Sequence, residues 1–154
     1  MQLDVIAVGR VRDSGLRAAC DDYLTRTRRY LKVGEHEVPA ARARRPADVR
    51  KLEGERLLAR IPAKSRGVAL TRKGRALDSA AFAERVSAWR RDARDVALVI
   101  GGADGLDPAV LERCETHLSL SPLTFPHELA RVVLYEQLYR ACTILGGEPY
   151  HKGA

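Results

Sequence analysis

The chain has 154 residues, 45% hydrophobic and 31% charged, with 27 Lys plus Arg against 20 Asp plus Glu and a formal charge of +7. That length suits one domain, residues 1 to 154, whose core buries about 68–70% of the unfolded surface without disulfide or metal staples. The composition excludes a disordered chain, and no apolar run approaches the ~20 residues of a spanning helix, which excludes a membrane protein.

In chain order, Leu3, Val5, Ile6 and Val8 form a first strand that turns at Gly9. Ser14 caps a helix with Leu16, Ala19, Cys20, Tyr23, Leu24, Thr27 and Leu31 along one stripe. Glu35 to Val38 is a short strand stopped by Pro39, and Pro46 opens a helix striped by Val49, Leu52, Leu57, Leu58 and Ile61. Gly67 to Leu70 is a third strand, after which Asp78 or Ser79 caps a helix bearing Phe82, Val86 and Trp89. Val96 to Ile100 is apolar at every position, as a central parallel strand buried on both faces requires. Asp107 and Pro108 start a short helix with Val110, Leu111 and Cys114 inward, and His117 to Leu120 is a fifth strand. Pro126 to about Leu145 is the longest helix, stopped by Gly146 and Gly147. Strands and helices alternating in this way predict one α/β domain, with ligands beyond the carboxyl ends of the strands.

Charge and cysteines narrow the class. Residues 1 to 100 carry 23 basic and 13 acidic side chains (+10), whereas 101 to 154 carry 4 and 7 (−3). The densest part, Arg42 to Arg66, has nine basic residues against three acids, a surface suited to phosphate backbones and equally to an ordinary solvated helix face. Cys20, Cys114 and Cys142 are odd in number and lack Cys-x-x-Cys spacing, which argues against a disulfide framework and a zinc site. The N-terminus has no basic segment before its apolar stretch, so a cytoplasmic protein without a metal is expected.

Three segments carry chemistry. Gly101-Gly102-Ala103-Asp104-Gly105 follows the buried strand and lets backbone approach a ligand, or simply makes a tight turn. Its spacing is neither the dinucleotide fingerprint nor the phosphate loop. Leu118 to His127, with Pro122 and Pro126, makes a stiff loop with backbone groups free for a ligand, although Thr124 also suits a cap and His127 a packed neutral imidazole. The tail Pro149-Tyr150-His151-Lys152 offers a hydroxyl, a base near neutral pH and a cation.

Taken jointly, 98–105, 118–131, Tyr135 to Ala141 and Pro149 to Lys152 resemble the ribosomal large-subunit pseudouridine N3-methyltransferases, a family of the SPOUT class of knotted, S-adenosylmethionine-dependent RNA methyltransferases. The resemblance implies a parallel-sheet α/β fold with a C-terminal trefoil knot, a homodimer, and 23S rRNA in the ribosome as substrate. It carries the cofactor pocket onto Leu70, Gly101 and the loop Leu120, Ser121, Pro122, Leu123, Thr124 and Phe125, the loop backbone holding the adenine. It carries catalysis onto the tail, with His151 as proton acceptor, Tyr150 closing the site, and Lys152 or Arg131 steadying the base or a phosphate. Thr71, followed by Arg72 and Lys73, departs from relatives with an acid after Leu70 and weakens any ribose contact from there. The basic part then reads as the RNA face and the acidic part as a pocket for a cationic cofactor. A transfer-RNA methyltransferase of the same class and a non-catalytic RNA-binding protein are the competing readings.

Overall fold

The computed structural model describes residues 1–151. Its elements are β1 (Gln2–Val8), α1 (Ser14–Thr27), β2 (Lys32–Val38), α2 (Pro46–Arg60), β3 (Arg66–Ala76), α3 (Ser79–Asp92), β4 (Val96–Ile100), α4 (Pro108–Arg113), β5 (Thr116–Ser119) and α5 (His127–Leu145), followed by a 3-10 turn, Pro149–His151. The strands form one parallel sheet in the order β2-β1-β4-β3-β5.

The two-residue period of the strands sorts the core into two layers. Leu3, Val5, Ala7, Val96, Leu98 and Ile100 face α1, α3 and α5, where they meet Cys20, Leu24, Val86, Trp89, Leu134 and Tyr135. Ile6, Val8, Ala97 and Val99 face α2 and α4, against Leu57, Ile61 and Val110. All five β4 residues are buried, as its unbroken apolar sequence requires. The three cysteines are buried free thiols. No helix of the described residues is long and apolar enough to cross a membrane.

Several boundaries differ from the sequence reading for physical reasons. Asp13, not Ser14, caps α1: its carboxylate accepts from Leu16 N at 2.8 Å. Asp78 caps α3 in the same way, accepting from Ala81 N at 2.7 Å. β2 begins three residues earlier than expected, its run Gly34-Glu35-His36-Glu37 hiding the pattern because the polar side chains are paired: Glu35 with Arg17, Glu37 with Arg131, His36 with Asp4. On α2 the stripe is shifted, with Leu52 39% exposed and Glu53 only 3% exposed. Ala93 ends α3 in the left-handed region at φ 56°.

The largest difference is in β3, which does not stop at Leu70. Leu118 of β5 pairs with both Leu70 and Arg75, so Thr71 to Gly74 are extruded as an irregularity before pairing resumes. Gly74 tucks against the β5 backbone, where a β-carbon would lie 2.5 Å from the Leu118 carbonyl carbon. Bulges of this kind turn side chains out of the sheet, here toward the carboxyl edge.

Candidate active site

A cavity of about 820 Å³ opens at the carboxyl ends of β3, β4 and β5. Leu70, Ile100, Leu106 and Leu120 give it apolar walls, and the β3 bulge, the glycine turn, the β5–α5 loop, Arg50 of α2 and the first turn of α5 complete it. Seven of the eight residues expected to hold the cofactor line this space: Leu70, Gly101, Leu120, Ser121, Leu123, Thr124 and Phe125. Pro122 belongs to the same loop and is exposed, with no part in the lining.

The loop is braced from within. Ser119 Oγ donates to Ser121 O at 2.9 Å, Ser121 Oγ accepts from Leu123 N at 2.9 Å, and Arg72 Nη1 donates to Thr124 Oγ1 at 3.1 Å. Thr124 therefore ties the loop to the β3 bulge, and the cap position of α5 falls to Pro126, which carries no side-chain cap bond. Among the described residues, the backbone amides of Thr124 and Phe125 have no intramolecular acceptor, leaving two donors at the cavity wall.

The glycine turn is a tight structure first. A β-carbon on Gly101 would lie 2.8 Å from the backbone of Gly105, and one on Gly102 would lie 2.6 Å from Glu53 Oε2. Gly105 N donates to Gly102 O at 3.1 Å, closing the turn. Asp104 is exposed on its tip and lines the cavity. His127, in the first turn of α5, also lines the cavity, with its ring against Gly9.

The expectation of an acidic pocket for a cation is corrected. The charged residues of the lining are Arg50, Arg72 and Lys73 against Asp104. The regional sum of −3 fails as a guide because the fold brings Arg50 and the β3 bulge, both from the basic part of the chain, onto the walls.

Of the four residues expected to act on the substrate, Arg131 and Tyr150 are the two whose side chains are described, and neither lines the cavity. Arg131 is fully buried. Its Nη1 donates to Glu37 Oε1 at 2.7 Å and its Nη2 to the carbonyls of Val8 and Gly9, while Tyr135 and Arg17 bond Glu35 alongside. Tyr150 packs its ring on Tyr139, with centroids 4.7 Å apart, and donates to Glu136 Oε1 at 3.1 Å. Burial, then the hydrogen bonds to Tyr23 and Glu136, raise its phenol above the ordinary range. This seat lies along α5 from the cavity-lining Ala130 by roughly 9 Å at Glu136 and 15 Å at Arg140, at ~1.5 Å per residue. The backbone of His151 closes the 3-10 turn, and Lys152 lies outside the described residues.

Residues 1–151 match the family model described as "Predicted SPOUT methyltransferase". The chain belongs to the SPOUT methyltransferase family. Among its SPOUT relatives, the "Ribosomal RNA large subunit methyltransferase H" of Anaeromyxobacter sp. (strain Fw109-5) is 52% identical over 153 residues, covering 99% of this chain and all of the relative. The protein of the same name from Gemmatimonas aurantiaca is 49% identical over 154 residues, again covering 99% of this chain and all of the relative. Two solved structures share the fold at low identity. A probable methylase family protein from Haemophilus influenzae Rd KW20 has a TM-score of 0.60 at 14% identity, over 97% of this chain and 70% of that one. A probable methyltransferase from Bordetella pertussis Tohama I has 0.55 at 19%, over 92% and 96%.

Two residues at or beside the cavity, Arg50 in its lining and Glu53 behind Gly102, were not singled out by the sequence. Arg50 was hidden in the basic segment. Glu53 occupies the stripe position four residues after Val49 and four before Leu57, so an acid at an apolar period was its available signal.

Proposed function

We propose that this protein transfers a methyl group from S-adenosylmethionine to N3 of a pseudouridine in the 23S rRNA of the large ribosomal subunit, working as a cytoplasmic homodimer with a knotted C-terminal segment. The observation that carries the reading is the cavity at the carboxyl ends of β3, β4 and β5, lined by seven of the eight residues assigned to the cofactor. The cavity's fit to the cofactor rests on its apolar walls and the two free amides of Thr124 and Phe125, which suit an adenine ring and its polar edge. The names of the full-length relatives support ribosomal RNA of the large subunit as the substrate.

When bound, the cofactor supplies an electrophilic methyl group on sulfur; the protein supplies alignment, exclusion of water and management of one proton. Leu70, Gly101 and the loop 120–125 orient the cofactor. His151 accepts the N3 proton, and Tyr150 and Lys152 close over the base. Arg131 acts at one remove, fixing the carboxyl end of β1 against β2 and α5 rather than touching the substrate. The position of Tyr150 supports the dimer: its seat is along α5 from its own cavity, so a second copy is what brings a tail to each cavity.

The test is methyl transfer from labelled cofactor to intact ribosomes, isolated large subunits and transfer RNA in parallel. Label in the large-subunit RNA of ribosomes, retained by mixing a Tyr150-to-Lys152 deletion with a Gly101→Val variant that are each inactive alone, is the expected result. Label in transfer RNA alone would sink the reading.

A further inference from the structure

Arg50, Arg72 and Lys73 are the lysine and arginine residues of the cavity lining, three cations gathered at one opening. Among the described residues, Arg17, Arg26, Arg45, Arg66, Arg94, Arg131 and Arg140 each hold a carboxylate within 3.3 Å. None of the three cavity cations has an acid within ion-pair distance, and their one hydrogen bond is from Arg72 to the neutral Thr124 hydroxyl. Arg50 is half-buried as a residue and has no ion pair. Asp104, the one acid of the lining, pairs with none of them.

The fold spends specific features to hold these charges there. The β3 irregularity extrudes Arg72 and Lys73 from a strand that otherwise pairs with β5 on both sides of them. Arg50 comes from a different element, α2, one helical turn before Glu53, whose carboxylate packs against Gly102. The S-adenosylmethionine assigned to this cavity is itself cationic at sulfur and at its amino group. Three uncompensated positive charges on two walls therefore do not serve it, beyond at most one cation for its carboxylate.

We infer that Arg50, Arg72 and Lys73 form an anion site at the rim of the cofactor cavity, which seats the phosphodiester backbone of the RNA strand whose base enters it. The inference rests on the RNA methyltransferase reading above and adds the place where the backbone is held. Phosphate contacts of this kind fix register without reading sequence. Contributed by two elements of the lining, α2 and the β3 bulge, they hold the strand beside the glycine turn.

The same anion chemistry is offered by the cofactor's carboxylate, and three measurements separate the two sources. The first is binding of a fluorescein-labelled RNA hairpin by anisotropy over a range of KCl concentrations. The second is calorimetric binding of S-adenosylmethionine. The third is KM and kcat for methyl transfer to intact ribosomes. The proteins are wild type, Arg50→Gln, the double variant Arg72→Gln with Lys73→Gln, and Lys32→Gln as a control at the amino end of β2, across the sheet from the cavity.

The expected result is a salt slope lower by about one for Arg50→Gln and by about two for the double variant. Hairpin affinity falls about tenfold or more, and KM for ribosomes rises in step with kcat held within about twofold. Lys32→Gln stays within about twofold of wild type throughout, as does the cofactor affinity of Arg50→Gln, while the double variant, which also removes the Arg72 bond to Thr124, is read by its salt slope. Equal losses from Lys32→Gln would overturn the site in favour of diffuse surface charge. Weakened cofactor binding with unchanged salt slopes would overturn it in favour of the carboxylate. If wild type transfers no methyl group to any RNA, the proposed function fails separately, and the salt slopes still decide the anion site.

Discussion

The Glu53 carboxylate lies so close over the α-carbon of Gly102 that a single added carbon there would sit 2.6 Å from Oε2. Glu53 is buried, its Oε1 accepts from Ala41 N at 3.0 Å, and its Oε2 has no partner among the described residues. One side chain thus joins the start of the basic β2–α2 loop to the turn at the end of β4. Gly102→Ala forces Glu53 aside and costs about 1–3 kcal/mol, the usual penalty for overpacking. Glu53→Ala makes room for the new methyl group. A urea double-mutant cycle is therefore expected to show Gly102→Ala costing much less in the Glu53→Ala background; additive losses would show that the two residues are uncoupled.

Arg131 is the second joint. Arg131→Met removes the cation from Glu37 and Glu35 and leaves the Val8 and Gly9 carbonyls without their donor. Breaking a buried pair from one side is expected to cost about 3–5 kcal/mol in urea unfolding. Methyl transfer by whatever fraction stays folded separates the positioning role from direct catalysis: a positioning residue leaves the pH–rate profile in place while lowering its height.

The tyrosines set an alkaline limit. The hydrogen bond from Tyr30 to Glu148 raises its phenol to about 12, and burial raises Tyr135 and Tyr150 further. Unfolded tyrosines ionise near ~10. A folded pKa above the unfolded one contributes stability that is fully present below ~10 and is lost as pH rises through the folded value. Phenolate absorbance of the native protein should therefore show Tyr30, Tyr135 and Tyr150 titrating late, with Tyr30→Phe removing the step near 12. Denaturation midpoints should fall as pH rises above ~10. Five phenols titrating together near ~10 would contradict these environments.

At the end of α3, Ala93 holds a left-handed backbone conformation with φ 56°. Glycine adopts that conformation without the clash of a β-carbon. Ala93→Gly is expected to stabilise the protein by about 0.5–1 kcal/mol, read as a higher urea midpoint at unchanged slope; a lower midpoint would show that the strain is absent.

The sequence made most of the architecture legible because the period of its apolar residues is undisguised where elements are buried. β4 is apolar throughout, and α3 shows Phe82, Val86 and Trp89 at helical spacing. It failed where burial is satisfied by pairing instead of by apolar side chains. The polar run of β2 and the buried Glu53 of α2 both look like surface until their partners, distant in sequence, are known. The loop positions that line the cavity were singled out through short-range resemblance, whereas the charge of the cavity was misjudged because regional sums carry no information about which walls meet. Arg131 was misplaced for a similar reason: an arginine in an apolar helix shows its depth only when Glu35 and Glu37 of another strand are seen around it.

The guanidinium that closes the carboxyl end of β1 belongs to residue 131, 122 positions after the Gly9 carbonyl it bonds. During synthesis, β1 is therefore completed only by a side chain made 122 positions later. Until α5 arrives, the Val8 and Gly9 carbonyls and Glu37 lack the Arg131 guanidinium that bonds them. Contacts of such long sequence separation delay closure, so the cavity reaches its final shape only once α5 has been made.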